Sequence, residues 1–117
     1  MHKDNRNVQE YYKYWTNEAI LADLDCRRHN FSVLCYNTNY DFNIGSIIRN
    51  ANAFMAREVI LYPRKRYDRR GTVGTYLYTH FKHFRVINDL AKYIESIPDA
   101  HLVAIENAPY ALPVETF

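Results

Sequence analysis

This 117-residue sequence contains few cysteines, glycines and prolines, and each shortage excludes a class of protein. The two cysteines, Cys26 and Cys35, form no Cys-x-x-Cys pair. We therefore favour two free thiols, buried or half-buried, over a disulfide framework. Three glycines and four prolines leave no room for a long flexible linker. These shortages predict one small folded domain.

The sequence also lacks the long apolar runs of a membrane protein. No run approaches the roughly 18 apolar residues that a membrane-spanning helix needs. The first residues, Met-His-Lys-Asp-Asn-Arg, are polar, unlike the apolar segment of a secretory signal. We therefore predict a cytoplasmic protein without a membrane partner.

Side chains that bind metals or act as nucleophiles are equally scarce. His80 and His83 stand three positions apart, as some zinc ligands do, but no third ligand follows at a telling distance. Cys26 and His29 would make a thiol–imidazole pair, but no residue near them in the sequence would orient the histidine. We therefore predict neither a metal site nor cysteine catalysis.

The hydrophobic pattern predicts helices that alternate with strands. Helices are expected at 7–24, at 43–55 and from about residue 88 to Pro98. Strands are expected at about 31–36, 58–62, 84–87 and 101–106. Residues 72–80 are compatible with a strand or with a short helix. This order favours an α/β fold, in which a mostly parallel sheet with flanking helices follows an N-terminal helical extension, residues 1–30.

Four aromatic residues crowd the N-terminal helix: Tyr11, Tyr12, Tyr14 and Trp15. Such a cluster serves either as a platform on which nucleic-acid bases stack or as the face that docks a helix on the sheet or on a partner. Docking is the commoner use of an amphipathic helix, and we favour it here.

The helix at 43–55 has an unusual polar side. Its apolar residues recur at helical spacing: Ile44, Ile47, Ile48, Ala51, Phe54 and Met55. The opposite side carries Asn43, Gly45, Ser46, Arg49 and Asn50. A helix start that follows a strand and a polar loop offers free N–H groups and a positive dipole end to a phosphate. Gly45 would let a ligand backbone approach closely.

A cationic loop follows the next predicted strand. Five of its residues are basic: Arg64, Lys65, Arg66, Arg69 and Arg70. The net charge of the chain is only +2, so this concentration is local. The loop would lie at the carboxyl end of a strand, where ligands bind in open α/β sheets. Such a loop either contacts RNA phosphates or is a solvated surface segment, and we predict RNA contact.

The pattern Asn-x-Gly-x-x-x-Arg, from Asn43 to Arg49, is followed by Asn-Ala-x-Ala-Phe. It resembles the first motif of the SpoU/TrmH branch of the SPOUT RNA methyltransferases, most specifically over residues 33–63. The resemblance implies transfer of a methyl group from S-adenosylmethionine to a ribose 2′-hydroxyl of tRNA or rRNA. It also implies that residues 31–117 are the front half of an α/β-knot domain.

Two later motifs of that family, Gly-x-Glu-x-x-Gly and Ser-x-Asn-x-Ser, are absent from the sequence. We therefore expect a fragment or a naturally short relative that is inactive alone. The family's cofactor pocket would be represented only at its edge, by Glu106 and Asn107. The family dimerises through its knot, so a homodimer is implied for a complete enzyme and a reduced dimer surface for this chain.

The resemblance assigns chemical roles to two residues of the motif. Arg49 matches the family's catalytic arginine, and Asn43 matches the leading asparagine. Arginine stays protonated, so we expect Arg49 to pin a phosphate beside the target ribose and to stabilise the developing alkoxide. Asn43 would cap the helix or bond the substrate or the loop. Gly45, Ser46 and the cationic loop would contact RNA.

Two other functions are compatible with the residues. The first is a non-catalytic RNA-binding module that keeps the phosphate site and lacks the cofactor knot. The second is an unrelated α/β nucleotide-binding domain, which is weaker because no Gly-x-Gly-x-x-Gly and no Walker-type Gly-x-x-x-x-Gly-Lys-Ser/Thr motif is present.

Overall fold

The computed structural model describes residues 3–39 and 42–116, and these residues form an α/β fold around one parallel sheet. The strands lie in the order β1 (His29–Asn37), β2 (Ala56–Pro63), β3 (Phe81–His83). The α-helices of this part of the chain are α1 (Asn17–Asp25), α2 (Phe42–Ala53) and α3 (Ile87–Glu95). The predicted α/β class with a parallel sheet is confirmed. None of these helices is long and apolar enough to cross a bilayer.

The core lies between α2 and one face of the sheet. Val33 of β1 is in register with Val59 of β2, and Cys35 with Leu61, so these side chains share a face. The fully buried cluster comprises Cys35, Ile44, Ile48, Ala51, Ala56, Val59 and Leu61. Each large aliphatic side chain buried in this way contributes about 1.5–3 kcal/mol. Burial also raises the pKa of the Cys35 thiol to about 11. Both cysteines are free and Cys35 is buried, but the expectation that Cys26 is at least half-buried is wrong, because Cys26 is exposed.

The predicted helix 43–55 is confirmed with changed ends and a narrower apolar face. It begins at Phe42 and ends at Ala53, and Met55 adopts a left-handed φ of 61° that terminates it. Ile48 is fully buried, but Ile47 is 36% exposed and Phe54 is 70% exposed. The prediction that Ile47 packs in the core is therefore wrong. Because β1 is an edge strand of the sheet that the described residues form, the side of α2 beside it lines an open concavity.

The predicted N-terminal helix 7–24 is two shorter pieces. A 3-10 turn (Glu10–Tyr12) precedes α1, and Tyr14 has a left-handed φ of 70° between them. The Thr16 side chain accepts a hydrogen bond from the Ala19 amide and caps α1. Tyr12 is buried with Ile20 of α1 and with Tyr78, so it packs on this helix and on the segment before β3, and not on the sheet. Two other aromatics of the cluster, Tyr11 and Tyr14, are exposed.

The ambiguous segment 72–80 is not a strand. Two 3-10 turns, Arg69–Thr72 and Thr75–Tyr78, connect β2 to β3. Val73 and Gly74 between them have left-handed φ values of 52° and 84°, which no strand tolerates. The third strand also lies earlier than the predicted 84–87, at Phe81–His83, because the helix α3 already begins at Ile87.

The predicted fourth strand, 101–106, is wrong. These residues are exposed and belong to no sheet, and Leu102 and Ile105 are 72% and 93% exposed. A run of β-branched and apolar residues has only a preference for the extended conformation. A β-strand also needs a neighbouring strand with which its backbone forms hydrogen bonds.

Candidate nucleic-acid interface

The cationic loop, residues 64–70, starts where β2 ends, and a buried asparagine fixes its shape. Asn37, the last residue of β1, is 1% exposed. Its Nδ2 donates to the carbonyl oxygens of Arg64 at 3.1 Å and of Arg66 at 2.6 Å. The Arg64 amide in turn donates to the Asn37 carbonyl at 3.3 Å. The loop therefore turns around one side chain, which fixes its backbone at Arg64 and Arg66.

Three of the five loop cations are engaged within the protein. Arg64 donates from Nη1 to the Thr38 carbonyl at 3.0 Å. Arg70 holds Asp68 with its guanidinium and its own backbone amide. These hydrogen bonds lower the pKa of Asp68 to about 2, so this carboxylate is ionised and already paired at neutral pH. Arg69 lies over the Tyr76 ring, 4.7 Å from its centroid.

Lys65 and Arg66 differ from the other three cations. Both are exposed, and neither side chain forms a hydrogen bond or ion pair with any described residue. Two exposed cations without a carboxylate partner among the described residues keep their full attraction for an external anion.

These cations line an open concavity of about 1060 Å³ at the carboxyl edge of the sheet. We call it the basic concavity. Its cationic residues are Lys65, Arg66, Arg69, Arg70 and Lys82, and its aromatic residues are Tyr67, Tyr76 and Phe81. Asp68 is the acidic residue of this lining, and Arg70 occupies it. The concavity therefore combines uncompensated positive charge with aromatic surface.

The tyrosines of the basic concavity are partly withdrawn from water. The rings of Tyr67 and Phe81 are stacked, with centroids 5.7 Å apart and planes inclined by 29°. Burial raises the pKa of Tyr67, although the neighbouring Arg69 guanidinium opposes the shift. The phenol is therefore neutral at physiological pH and adds no negative charge to the site.

The start of α2 contacts the protein's own backbone where a ligand was expected. Gly45 is buried, and a Cβ atom placed on it would lie 2.9 Å from the Gly71 Cα and 3.0 Å from the Asp68 carbonyl oxygen. The absence of a side chain at Gly45 thus lets the backbone of the turn Arg69–Thr72, rather than a ligand, approach α2 closely. Ser46 is half-buried, and neither Gly45 nor Ser46 lines the basic concavity.

Asn43 and Arg49 are both exposed on α2. Asn43 is the second residue of the helix, so the predicted capping role is wrong. Arg49 forms no hydrogen bond or ion pair with the described residues. It stands four positions after Gly45 and so lies on the side of the helix that faces the turn Arg69–Thr72. Neither residue lines the basic concavity.

Glu106 and Asn107, the expected edge of a cofactor pocket, do not fit that role here. Both are exposed within a segment that joins no sheet or helix. Neither side chain lines the basic concavity or two further concavities, beside Phe31 and beside Arg28, in the described part of the chain. These two exposed side chains therefore do not fit the edge of an S-adenosylmethionine pocket, and the cofactor stays a prediction.

The described residues contain no group of three side chains able to hold a metal ion. His80 bonds the Asp25 carboxylate at 2.7 Å, and His83 bonds the Pro63 carbonyl at 2.8 Å. The two histidines are therefore engaged in separate contacts.

Sequence reasoning missed three contributors to the interface. Asn37 has a detectable signal, because a polar residue that ends an apolar strand is well placed to bond the next loop. Tyr76 and Phe81 had no such signal. They reach the basic concavity only because β3 pairs with β2, with Val59 opposite Phe81.

Comparisons with known proteins identify no relative. No family model matches the chain, and neither a curated protein nor a solved structure matches it.

Proposed function

We propose that this chain binds RNA through the basic concavity and is part of a SpoU/TrmH-type ribose 2′-O-methyltransferase. One observation carries the proposal. Lys65 and Arg66, two cations without a partner among the described residues, stand beside aromatic side chains in one concavity at the carboxyl edge of a parallel sheet. Phosphates need charge and bases need flat apolar surface, and this site offers both.

The charge balance of the concavity supports an anionic ligand. Its acidic residue, Asp68, forms a salt bridge with Arg70, so the charges of these two side chains cancel. Lys65, Arg66, Arg69 and Lys82 then remain as net positive charge on one surface. The whole chain has 15 Lys and Arg against 13 Asp and Glu, so the residues outside the concavity comprise 10 basic and 12 acidic residues. A polyanion would therefore be directed to this surface rather than to the protein as a whole.

The methyltransferase part of the proposal rests on the motif between Asn43 and Arg49. Arg49 is free of partners among the described residues and lies away from the core, as a substrate-binding residue would. We propose that its guanidinium holds a phosphate beside the target ribose and stabilises negative charge on the reacting oxygen. Because Glu106 and Asn107 line none of the concavities described above, we assign no residue of this chain to the methyl donor, and Arg49 is proposed to act on the RNA substrate alone.

A second candidate is an RNA-binding module without catalysis. The exposure of residues 101–106 favours it, because no strand brings Glu106 and Asn107 to the sheet. The two candidates share the same RNA surface and differ in whether Arg49 contributes to turnover.

RNA binding by the purified chain tests the shared part of the proposal. Fluorescence polarisation with labelled tRNA should show binding, and a Lys65→Ala/Arg66→Ala variant should bind more weakly. Two exposed ion contacts of about 0.5–1 kcal/mol each predict a loss of roughly 5- to 30-fold. Lys92→Ala removes an exposed charge on α3 outside the concavity and should change little. Equal affinities of all three proteins would contradict the proposal.

Titration calorimetry with S-adenosylmethionine tests the cofactor expectation separately. Binding to this chain should be weak or absent, because Glu106 and Asn107 are exposed. A micromolar dissociation constant would show that the cofactor binds at some other set of residues.

A further inference from the structure

The aromatic residues of the basic concavity are arranged as a surface rather than scattered. Tyr67 and Phe81 present stacked rings, and Tyr76 lies beneath the Arg69 guanidinium. All three aromatic side chains are half-buried and line the same concavity as Lys65 and Arg66. We call these three rings and the Arg69 guanidinium the stacking wall.

We infer that the basic concavity takes unpaired nucleotides of single-stranded RNA, with at least one base stacked on the stacking wall. The phosphates on either side of that base are held by Lys65 and Arg66. The inference rests on the proposed RNA binding and deepens it, because it names the form of RNA that the site accepts.

The shape of the site excludes a duplex as the preferred ligand. Bases in an A-form duplex stack on one another, and their faces are covered along the helix. A duplex therefore offers phosphates to Lys65 and Arg66 but no base face to the stacking wall. A single-stranded segment can splay its bases, and stacking on aromatic rings or Arg planes then adds to the phosphate contacts.

Arg69 is held in a geometry suited to stacking. The guanidinium carbon of Arg69 lies over the Tyr76 ring, 4.7 Å from its centroid. Arg69 is exposed, so a base can reach the guanidinium from the side away from the ring. A base placed there would continue the order ring, guanidinium, base. Arg70, by contrast, is bound to Asp68.

Three labelled probes of equal length, about 12 nucleotides, test the inference and match the usual site size of single-strand binders. The first is oligoadenylate RNA, the second is an abasic strand with the same number of phosphates, and the third is a duplex RNA. Polarisation should rank oligoadenylate first. One stacked base typically changes affinity by about 5- to 150-fold, so the abasic strand should bind at least about fivefold more weakly.

Two variants locate the effect at the stacking wall. Tyr76→Leu removes a ring, and Arg69→Lys keeps the charge but removes the planar group. Each should weaken oligoadenylate binding about fivefold or more and leave the abasic strand almost unchanged. Tyr110→Leu, at an 84% exposed tyrosine outside the concavity, is the matched control and should behave like the wild type. Arg69 is exposed, so Arg69→Lys provides a folded variant if Tyr76→Leu fails to fold.

The outcomes separate this inference from the RNA-binding proposal. If the intact and abasic strands bind equally well, or if the duplex binds more tightly than oligoadenylate, the stacking inference is overturned while RNA binding stands. If none of the probes binds, both fail. If oligoadenylate is preferred but Tyr76→Leu and Arg69→Lys keep the full preference, the base stacks elsewhere and the inference is overturned.

Discussion

Asn37 shows how one buried polar side chain shapes a binding surface. Its Nδ2 satisfies two loop carbonyls, whereas its Oδ1 has no hydrogen-bond partner among the described residues. An unpaired buried acceptor costs about 1–3 kcal/mol, so the bonds made by Nδ2 must offset that cost. The shape of the cationic loop therefore depends on the amide and not on the size of the side chain alone.

Asn37→Asp should be severely destabilising. The variant keeps the size of the side chain but places a carboxylate oxygen against the carbonyls of Arg64 and Arg66. An unpaired buried charge typically costs about 3–5 kcal/mol. Urea denaturation at neutral pH measures the change. Asn50→Asp, at an exposed position of α2, is the matched control, and an equal loss in both variants would contradict the role of Asn37.

Arg49→Ala should separate catalysis from stability. The side chain is exposed, so the free energy of unfolding should change by less than about 0.5 kcal/mol. Loss of one well-placed charge at a transition state typically lowers the rate by about 10²–10³-fold. The measurement is transfer of a tritiated methyl group to bulk tRNA or rRNA by an active preparation that contains this chain, together with a thermal melt. Near-full turnover in the variant would refute the catalytic assignment.

The contact between α2 and the turn Arg69–Thr72 is made through two glycines. Gly45→Ala should destabilise the protein even though alanine favours helix by about 1 kcal/mol over glycine. The new Cβ would meet backbone atoms of Gly71 and Asp68 at 2.9–3.0 Å, and backbone cannot move aside as a side chain does. Overpacking of this kind costs about 1–3 kcal/mol. A melting temperature equal to or above that of the wild type would show that the two elements separate easily.

The helix α3 is tied to the other face of the sheet by a carboxylate. The Tyr93 hydroxyl donates to both oxygens of Glu58, at 2.8 and 2.6 Å, and Ser32 donates to the same group. Burial raises the pKa of Glu58, but these hydrogen bonds and the charge of Arg57 outweigh burial, so the pKa lies below its ordinary value. The stabilisation is therefore complete above the unfolded-state pKa of about 4.3 and is lost as the pH falls through the folded-state pKa.

Tyr93→Phe should remove much of this stabilisation. At neutral pH the loss should be about 1–2 kcal/mol, in the range for a hydrogen bond to a charged group. The difference from the wild type should shrink as the pH is lowered below about 4, where Glu58 becomes protonated. Urea denaturation across this range is the measurement, with Tyr110→Phe as control. A difference that stays constant with pH would show that Glu58 is not the partner that matters.

At the scale of elements, the sequence was sufficient to predict a helix or strand where its apolar residues form a continuous run or recur at a regular spacing. The runs that became β1, α2 and β2 could be predicted because their apolar spacing matches what the core buries. The segment from Thr72 to His83 mixes Thr, Tyr, His and Phe, and left-handed residues in the middle divide it. Residues 101–106 carry a strand pattern, yet pairing depends on a neighbour that no local pattern specifies.

At the scale of the whole molecule, the position of charge matters more than its amount. The net charge of +2 by itself gives no reason to expect nucleic-acid binding. The cluster of cations after β2 does give such a reason. The sequence predicted this loop, but it did not predict which cations are occupied. Arg70 forms a salt bridge with Asp68, Arg64 donates a hydrogen bond to the Thr38 carbonyl, and Arg69 lies over the Tyr76 ring. These choices depend on backbone geometry, which the order of residues alone does not specify.

The central claim, that Lys65 and Arg66 bind RNA phosphates, is tested most directly by the salt dependence of affinity. Each phosphate contact with single-stranded RNA contributes about 0.7 to the slope of log affinity against log salt. Lys65→Ala/Arg66→Ala should therefore lower the slope by about 1.4 relative to the wild type, whereas Lys92→Ala should leave it unchanged. An unchanged slope in the double variant would contradict the claim that these two cations bind RNA phosphates.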